Sequence, residues 1–291
     1  MTKKSPINDQ SLQIPKSILI TAKLLQAISP KLATLFAVKL FSTPIKHKIP
    51  KREWQMEQNT SQQKLEIPKI NKTINLYHYG ESQKKVLLVH GWSGRGTQLF
   101  KIAEELLQKG FSTISFDAPA HGKSKSNTTL MPEFIASIHE IDKQFGPFEF
   151  AIGHSLGGMS ILKAIKEGFL IKKAVIIGSG DAIENIIEDF IFKLQLKPNI
   201  GALLKEHFEK KFNVQMENYR ASFVAQSIDI PVLVIHDAND QEISSKAAQN
   251  IHSNLKNGEI LITEKLGHRK ILGDKKVIES ITSFLVTDNG L

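Results

Sequence analysis

Residues 148–158 read FEFAIGHSLGG, an apolar run that meets GHSLG and is followed at once by a helix-like run over residues 159–166. The pattern predicts a nucleophile elbow, a tight turn from a strand into a helix that holds Ser155 in a strained backbone conformation. Glycine is needed on either side of the serine because a side chain there would collide with the neighbouring strand or helix. The turn would expose the Ser155 hydroxyl at a helix N-terminus, where free backbone N–H groups favour negative charge.

On both sides of this turn, short apolar segments of β character alternate with amphipathic segments of helical spacing. Besides the run before the turn, strands are predicted over residues 73–79, 86–89, 111–116, 174–177, 231–235 and 260–263. Helices are predicted over residues 97–109, 130–144, 159–166, 244–255 and 274–285. The alternation predicts an α/β fold, with a mostly parallel sheet covered by helices on both faces.

One segment interrupts the alternation. Residues 181–227 separate two strands by far more than the few residues usual for such a connection, and they contain at least two helix-like stretches. We therefore predict a helical cap over the carboxyl ends of the strands, inserted into a core of residues 73–180 and 228–291. Its aromatic residues are predicted to wall a substrate pocket or, alternatively, to form the cap's own core; they are Phe190, Phe192, Phe208, Phe212, Tyr219 and Phe223.

The positive charge of the chain lies in its N-terminal extension, residues 1–72. This extension has 13 Lys and Arg against 4 Asp and Glu, whereas residues 73–291 have 25 of each. Amphipathic helices are predicted over residues 17–29 and 31–41, and residues 43–72 are predicted to be a connector with a strand near its end. The helix pair would either lie on an anionic membrane or a partner, making a peripheral contact through residues 17–42, or pack on its own protein with its lysines in water.

The cysteine content and the apolar stretches of the chain exclude several kinds of site and bear on its cellular location. The absence of cysteine excludes disulfides, zinc–thiolate sites and a thiol nucleophile, and it agrees with a cytoplasmic location. No uncharged apolar stretch approaches the roughly 18–20 residues that span a bilayer, and lysines interrupt any secretory signal core. We expect a cytoplasmic protein, with peripheral membrane contact as the alternative.

A serine hydroxyl is a poor nucleophile unless a base lies within hydrogen-bonding reach and a carboxylate orients that base. The loop after the strand at residues 231–235 offers two acids, Asp237 and Asp240. The loop after the strand at residues 260–263 offers His268. The chain therefore contains a serine, an acid and a histidine, in that order, each directly after a predicted strand.

From residue 73 to the end, the sequence resembles the α/β-hydrolase fold superfamily, and within it the bacterial-type serine hydrolases and esterases with a helical cap. The motifs that carry the resemblance are HGW at residues 90–92, DAPAHGKS at 117–124, GHSLGG at 153–158, Asp240, and GH at 267–268. The resemblance implies that Ser155 is the nucleophile, that His268 is the general base, and that Asp240, in preference to Asp237, orients His268. It places the oxyanion hole at the backbone N–H groups of Trp92 and Leu156, and it implies neither an organic cofactor nor a metal.

The predicted function is cleavage of a carboxylic ester or thioester through an acyl-enzyme on Ser155, on a small molecule with an apolar group. The alternative is a non-catalytic protein of the same fold that binds lipid or a partner through its basic N-terminal helices. Nucleotide binding is disfavoured because Thr97 stands where a phosphate-binding loop would have its lysine. Nucleic-acid binding is disfavoured because few aromatic residues, Phe41 and Trp54 among them, lie near the basic excess and could stack on bases. The histidines show no metal-ligand spacing.

Overall fold

The computed structural model describes residues 14–287, so the first thirteen residues of the predicted extension lie outside it. Eight strands form one sheet in the order β1-β2-β4-β3-β5-β6-β7-β8. The strands are β1 (Ser61–Ile67), β2 (Lys72–Tyr79), β3 (Lys85–Val89), β4 (Ser112–Asp117), β5 (Phe150–His154), β6 (Lys173–Ile177), β7 (Val232–Asp237) and β8 (Gly258–Thr263). β2 runs antiparallel to both of its neighbours, and all other pairs are parallel. The predicted α/β fold with a mostly parallel sheet is confirmed.

Helices cover both faces of this sheet because side chains alternate between the faces along each strand. In β3, Leu87 and Val89 contribute to one core cluster, while Val86 and Leu88 contribute to the other. The first cluster is covered by α5 (Met131–Phe145), α6 (Leu156–Lys166), α9 (Ala221–Ala225) and α10 (Lys246–Asn254). The second is covered by α4 (Phe100–Gln108) and α12 (Lys275–Val286).

The sheet includes part of the segment that the sequence predicts to be a connector. A short helix, α3 (Trp54–Asn59), leads into β1, which pairs with β2 along its whole length. The strand predicted near the end of the connector is therefore the antiparallel edge of the sheet. The remaining short helix, α11 (Gly267–Lys270), follows β8.

The N-terminal helices α1 (Lys16–Ile28) and α2 (Pro30–Phe41) pack on the inserted segment rather than on the sheet. They form a separate apolar cluster with α7 (Ile183–Lys193) and α8 (Pro198–Phe212). Their buried face is lined by small side chains, Ala22, Ala33 and Ala37, which allow close approach of the helices. The sequence left open whether these helices contact a membrane or a partner, or pack on their own protein. Their buried face packs on the chain's own helices.

The inserted segment differs from its prediction in what its aromatic residues contact. Phe190 and Phe208 pack against Phe41 of α2, with ring centroids 5.2 and 5.7 Å apart, so they form a core shared with the N-terminal helices. The Phe192 side chain is exposed. These contacts therefore form a core rather than the wall of a pocket, because α2 covers the apolar side of the cap helices. Near the end of the insertion, α9 joins the core beneath the sheet through Val224.

Among residues 14–287, no helix combines the length and the apolar character needed to cross a bilayer. The cytoplasmic location stays a prediction.

Candidate active site

Ser155 lies between the last residue of β5 and the first residue of α6, in a backbone conformation with φ 52° and ψ −118°. A positive φ is strained for a residue with a side chain, and such strain persists only where the surroundings impose it. Here a Cβ added at Gly153 would lie 2.6 Å from the Gly157 carbonyl carbon, and one added at Gly157 would lie 2.3 Å from the Val89 carbonyl oxygen. Glycine at both places therefore allows strand, turn and helix to pack closely enough to form the predicted elbow.

Two backbone N–H groups are available beside Ser155. The Leu156 N–H is at the first position of α6, where no helical partner exists for it. The Trp92 N–H lies in the loop after β3, which passes so close that a Cβ added at Gly91 would be 3.0 Å from Ser155 Cβ. Within residues 14–287, neither of these two N–H groups donates a hydrogen bond. Both N–H groups predicted to form the oxyanion hole are therefore free, among the described residues, to donate to a substrate oxygen.

His268 and Asp240 form a short hydrogen bond, 2.7 Å from Nδ1 to Oδ2, in a buried environment. Asp240 Oδ1 accepts the N–H groups of Glu242 at 2.8 Å and Ile243 at 3.0 Å, which hold the carboxylate in the loop after β7. Burial alone would raise the pKa of Asp240, but the nearby His236 and His268 imidazoles and the Ile243 N–H lower it below its ordinary value. The carboxylate is therefore ionised and fixes a proton on Nδ1 of His268, which leaves Nε2 as the basic nitrogen.

The His268 ring lies against the elbow. A Cβ added at Gly178 would be 3.3 Å from the ring Nδ1, and Gly178 directly follows Ile177, whose carbonyl oxygen accepts the Ser155 N–H at 2.8 Å. Among the described residues, however, Ser155 Oγ and the His268 ring are not hydrogen-bonded to each other. Hydrogen bonds between catalytic groups are often long before substrate binds. The structure therefore brings Asp240 and His268 into contact, and it packs the His268 ring against the residue that follows the strand to which the Ser155 N–H is bonded.

Asp237, the other candidate acid, holds the loop that carries His268. Its Oδ1 accepts the Asn239 N–H at 3.0 Å, and its Oδ2 accepts the Thr263 hydroxyl at 2.8 Å and the Leu266 N–H at 3.0 Å. Burial alone would raise the pKa of Asp237, but the Gly267 N–H together with these three bonds lowers it below its ordinary value. The carboxylate joins the end of β7 to the segment after β8. Asp237 therefore stabilises the loop that carries His268.

His154, which the sequence analysis did not single out, touches the candidate base. Its Nε2 donates to the His268 carbonyl oxygen at 2.9 Å, and the two rings lie 4.6 Å apart. Burial, followed by the nearby His268, lowers the pKa of His154 to about 3, so the ring is neutral. Its position one residue before the serine in a buried strand is the signal that could have identified it.

Two buried histidines brace the loop that supplies the Trp92 N–H. His90 Nε2 accepts the Ala118 N–H at 3.0 Å, and His121 Nε2 accepts the Ser93 N–H at 3.0 Å. Burial lowers the pKa of both rings, that of His121 to about 4. They act as neutral acceptors that fix the backbone on either side of Trp92, and neither contacts Ser155 in a hydrogen bond.

Residues of the N-terminal segment also contact the loop after β3, which contains Trp92. The buried Glu53 carboxylate pairs with Arg95 Nη1 at 2.8 Å and accepts the Thr97 hydroxyl at 2.7 Å. Eight residues before Glu53, the Ile45 N–H donates to Ser93 Oγ at 3.0 Å. Glu53 was missed from sequence because its partners lie about 40 residues away across a segment that looks like a connector. The residues described include no group of three or more His, Asp or Glu that could hold a metal ion.

Comparison with known proteins agrees with this geometry. Residues 86–228 match the model of the alpha/beta hydrolase family. This range contains the elbow and the loop with Trp92, and it ends before β7. The chain has the fold of the α/β-hydrolase superfamily.

Solved structures share this fold at low sequence identity. An esterase from Pyrococcus furiosus matches with a TM-score of 0.65 and 17% identity, over 84% of this chain and 96% of its own. An esterase from Exiguobacterium antarcticum matches with 0.59 and 17%, over 75% and 97%. A bromoperoxidase from Bacillus anthracis matches with 0.61 and 16%, over 78% and 100%. No curated protein matches this α/β-hydrolase chain significantly in sequence.

Proposed function

We propose that the chain is a serine hydrolase that cleaves a carboxylic ester or thioester through an acyl-enzyme on Ser155. The observation that carries the proposal is the buried Asp240–His268 hydrogen bond, 2.7 Å long, beside a serine held at positive φ. That pair fixes the tautomer that a general base needs, with Nε2 unprotonated. The esterases among the structural neighbours support the same class of substrate.

In the first step, Ser155 Oγ attacks the carbonyl carbon of the substrate and its proton passes to Nε2 of His268. The substrate would bring the hydroxyl and the imidazole within the hydrogen-bonding distance that the free site lacks. The carbonyl oxygen becomes negatively charged and accepts the N–H groups of Leu156 and Trp92. Each such donor stabilises the transition state by roughly 3 kcal/mol.

The tetrahedral intermediate then collapses, and the bond from the carbonyl carbon to the leaving oxygen or sulfur breaks. The leaving group takes the proton from His268, which restores the neutral imidazole and leaves an acyl group on Ser155. Water attacks this acyl group, gives its proton to His268, and releases a carboxylic acid as Ser155 regains the proton. Asp240 stays ionised throughout, as the lowered pKa of its carboxyl favours.

Hydrolysis of p-nitrophenyl esters of graded acyl length tests this proposal, with a matched thioester series. We expect turnover by the full chain and none above background for Ser155→Ala or His268→Ala. Ser160→Ala is the matched control, because Ser160 lies in α6 five residues after Ser155 and, within residues 14–287, its hydroxyl bonds the Leu156 carbonyl oxygen alone. Equal turnover by Ser155→Ala and the control would refute the proposal. No turnover of any ester by a folded full chain would favour the binding-only alternative.

A further inference from the structure

The outward face of the N-terminal helices is apolar. Ile20, Leu24 and Ile28 recur every four residues along α1, and their exposed fractions are 58%, 61% and 73%. Residues four apart lie above one another on a helix, so these side chains form one continuous stripe. On α2, Leu32 and Leu35 are also exposed. Both helices therefore expose large apolar side chains.

Within residues 14–287, no other element covers this stripe. The opposite side of the two helices, with Ala22, Ala33 and Ala37, already packs against α7 and α8. A helix that buries one face in its own protein ordinarily presents a polar face to water. An outward face rich in Ile and Leu marks a surface on which something else packs.

Positive charge is interleaved with the stripe. Lys16 and Lys23 lie four residues before and three residues after Ile20, and Lys31 and Lys39 lie four residues on either side of Leu35. These spacings place each lysine beside an exposed apolar side chain. All four lysines are exposed and none forms an ion pair with a described residue. No Asp or Glu occurs between residues 10 and 52, so the face has no negative charge of its own.

We propose that the α1–α2 face binds the surface of an anionic lipid bilayer, with both helices in the membrane plane. The Ile and Leu side chains would enter the boundary between headgroups and acyl chains, while the lysine stems extend along it and bring their ammonium groups to the lipid phosphates. A second copy of the chain fits this face poorly, because a symmetric dimer would set the same four lysines against each other. The proposal concerns binding alone and does not depend on whether Ser155 reacts.

Flotation of the full chain with vesicles tests the proposal. The probes are vesicles of phosphatidylcholine alone and vesicles with about one quarter phosphatidylserine, which carry the negative surface potential that attracts lysines. We expect flotation only with the anionic vesicles at low ionic strength. At roughly 1 M salt, where the screening length is ~3 Å, we expect flotation to be largely lost.

Two sets of variants assign the binding to this face. The triple variant Lys23→Gln, Lys31→Gln, Lys39→Gln should lower the partition coefficient roughly fivefold for each lysine removed. The double variant Leu24→Ser, Ile28→Ser should lower it about tenfold or more, through lost apolar burial. The matched controls are Leu170→Ser, 80% exposed before β6, and Lys275→Gln with Lys276→Gln at the start of α12. These controls should float as the unaltered chain does.

Three results would overturn the proposal. One is the absence of flotation with anionic vesicles at low salt, and another is equal flotation of the two test variants and the controls. The third is a chain that ignores vesicles but is dimeric by light scattering and becomes monomeric in Leu24→Ser, Ile28→Ser. In that case a second copy covers the face. Because every substituted side chain is exposed, urea unfolding should give the same midpoint for all variants.

Discussion

Replacement of Asp240 by asparagine removes one charge and leaves most of the loop unchanged. Oδ1 of Asp240 accepts the N–H groups of Glu242 and Ile243, and the asparagine oxygen can keep both of these bonds. Oδ2, which accepts Nδ1–H of His268, becomes an amide NH2 group. That group donates, so the imidazole must turn away or move its proton to Nε2. In either state the ring cannot take the proton of Ser155.

The expected loss of turnover follows from the change in the His268 tautomer. A base held in the wrong tautomer costs about 10⁴ in kcat, which corresponds to about 5.5 kcal/mol of the activation free energy. The free energy of unfolding should fall by only about 1.5–3 kcal/mol, the range for one hydrogen bond to a charged group. Asp240→Asn should therefore be a folded protein with almost no turnover.

The matched control is Asp237→Asn, in which the substituted carboxylate lies three residues away. Its Oδ2 accepts the Thr263 hydroxyl and the Leu266 N–H, so an amide there would face a backbone donor. This variant should lose about 1–3 kcal/mol of unfolding free energy, yet less than about tenfold in kcat. The assay is p-nitrophenyl ester turnover beside urea unfolding for both variants. A larger loss of kcat in Asp237→Asn, or more than a tenth of normal kcat in Asp240→Asn, would refute the assignment of the orienting acid.

Three further outcomes are expected. Gly157→Ala places a Cβ 2.3 Å from the Val89 carbonyl oxygen, so we expect about 1–3 kcal/mol less unfolding free energy together with reduced ester turnover; full stability and activity would contradict the packing at the elbow. Glu53→Gln leaves the Arg95 charge nearly buried without its partner, so urea unfolding should reveal a loss of about 3–5 kcal/mol, and a loss near zero would show that the pair is dispensable. The pKa of His121 is about 4 in the folded chain against an ordinary 6.5, so between these values the unfolded chain binds more protons and stability falls as pH falls. Between pH 4 and 6.5, His121→Asn should reduce the slope of unfolding free energy against pH by up to about 1.4 kcal/mol per pH unit. An unchanged slope would count against a neutral buried His121 ring.

Sequence reasoning succeeded where the signal is local. The elbow is specified by an apolar run, two glycines and a helix start within eleven residues, and the structure forms it there. Strand ends pointed to His268 and to two acids, Asp237 and Asp240, because the carboxyl ends of parallel strands meet at one edge of the sheet. The preference for Asp240 came from the family resemblance, and in the structure Asp240 is the acid that contacts His268.

Sequence reasoning failed where the signal depends on distant packing. Glu53 sits in a polar segment, and nothing local indicates that it is buried against Arg95. The aromatic residues of the insertion were predicted to wall a pocket or to form the cap's own core, because periodicity gives the apolar side of a helix but not what covers it. In the structure α2 covers that side, and Phe190 contacts Phe41.

The most direct test of the acyl-enzyme is covalent capture of its nucleophile by a fluorophosphonate, which reacts when a serine oxygen displaces fluoride from phosphorus. The full chain should gain the mass of one phosphonyl group, peptide mapping should place it on Ser155, and Ser155→Ala and His268→Ala should stay unmodified. Absence of the adduct on the folded chain, or an adduct on another residue that persists in Ser155→Ala, would contradict the account.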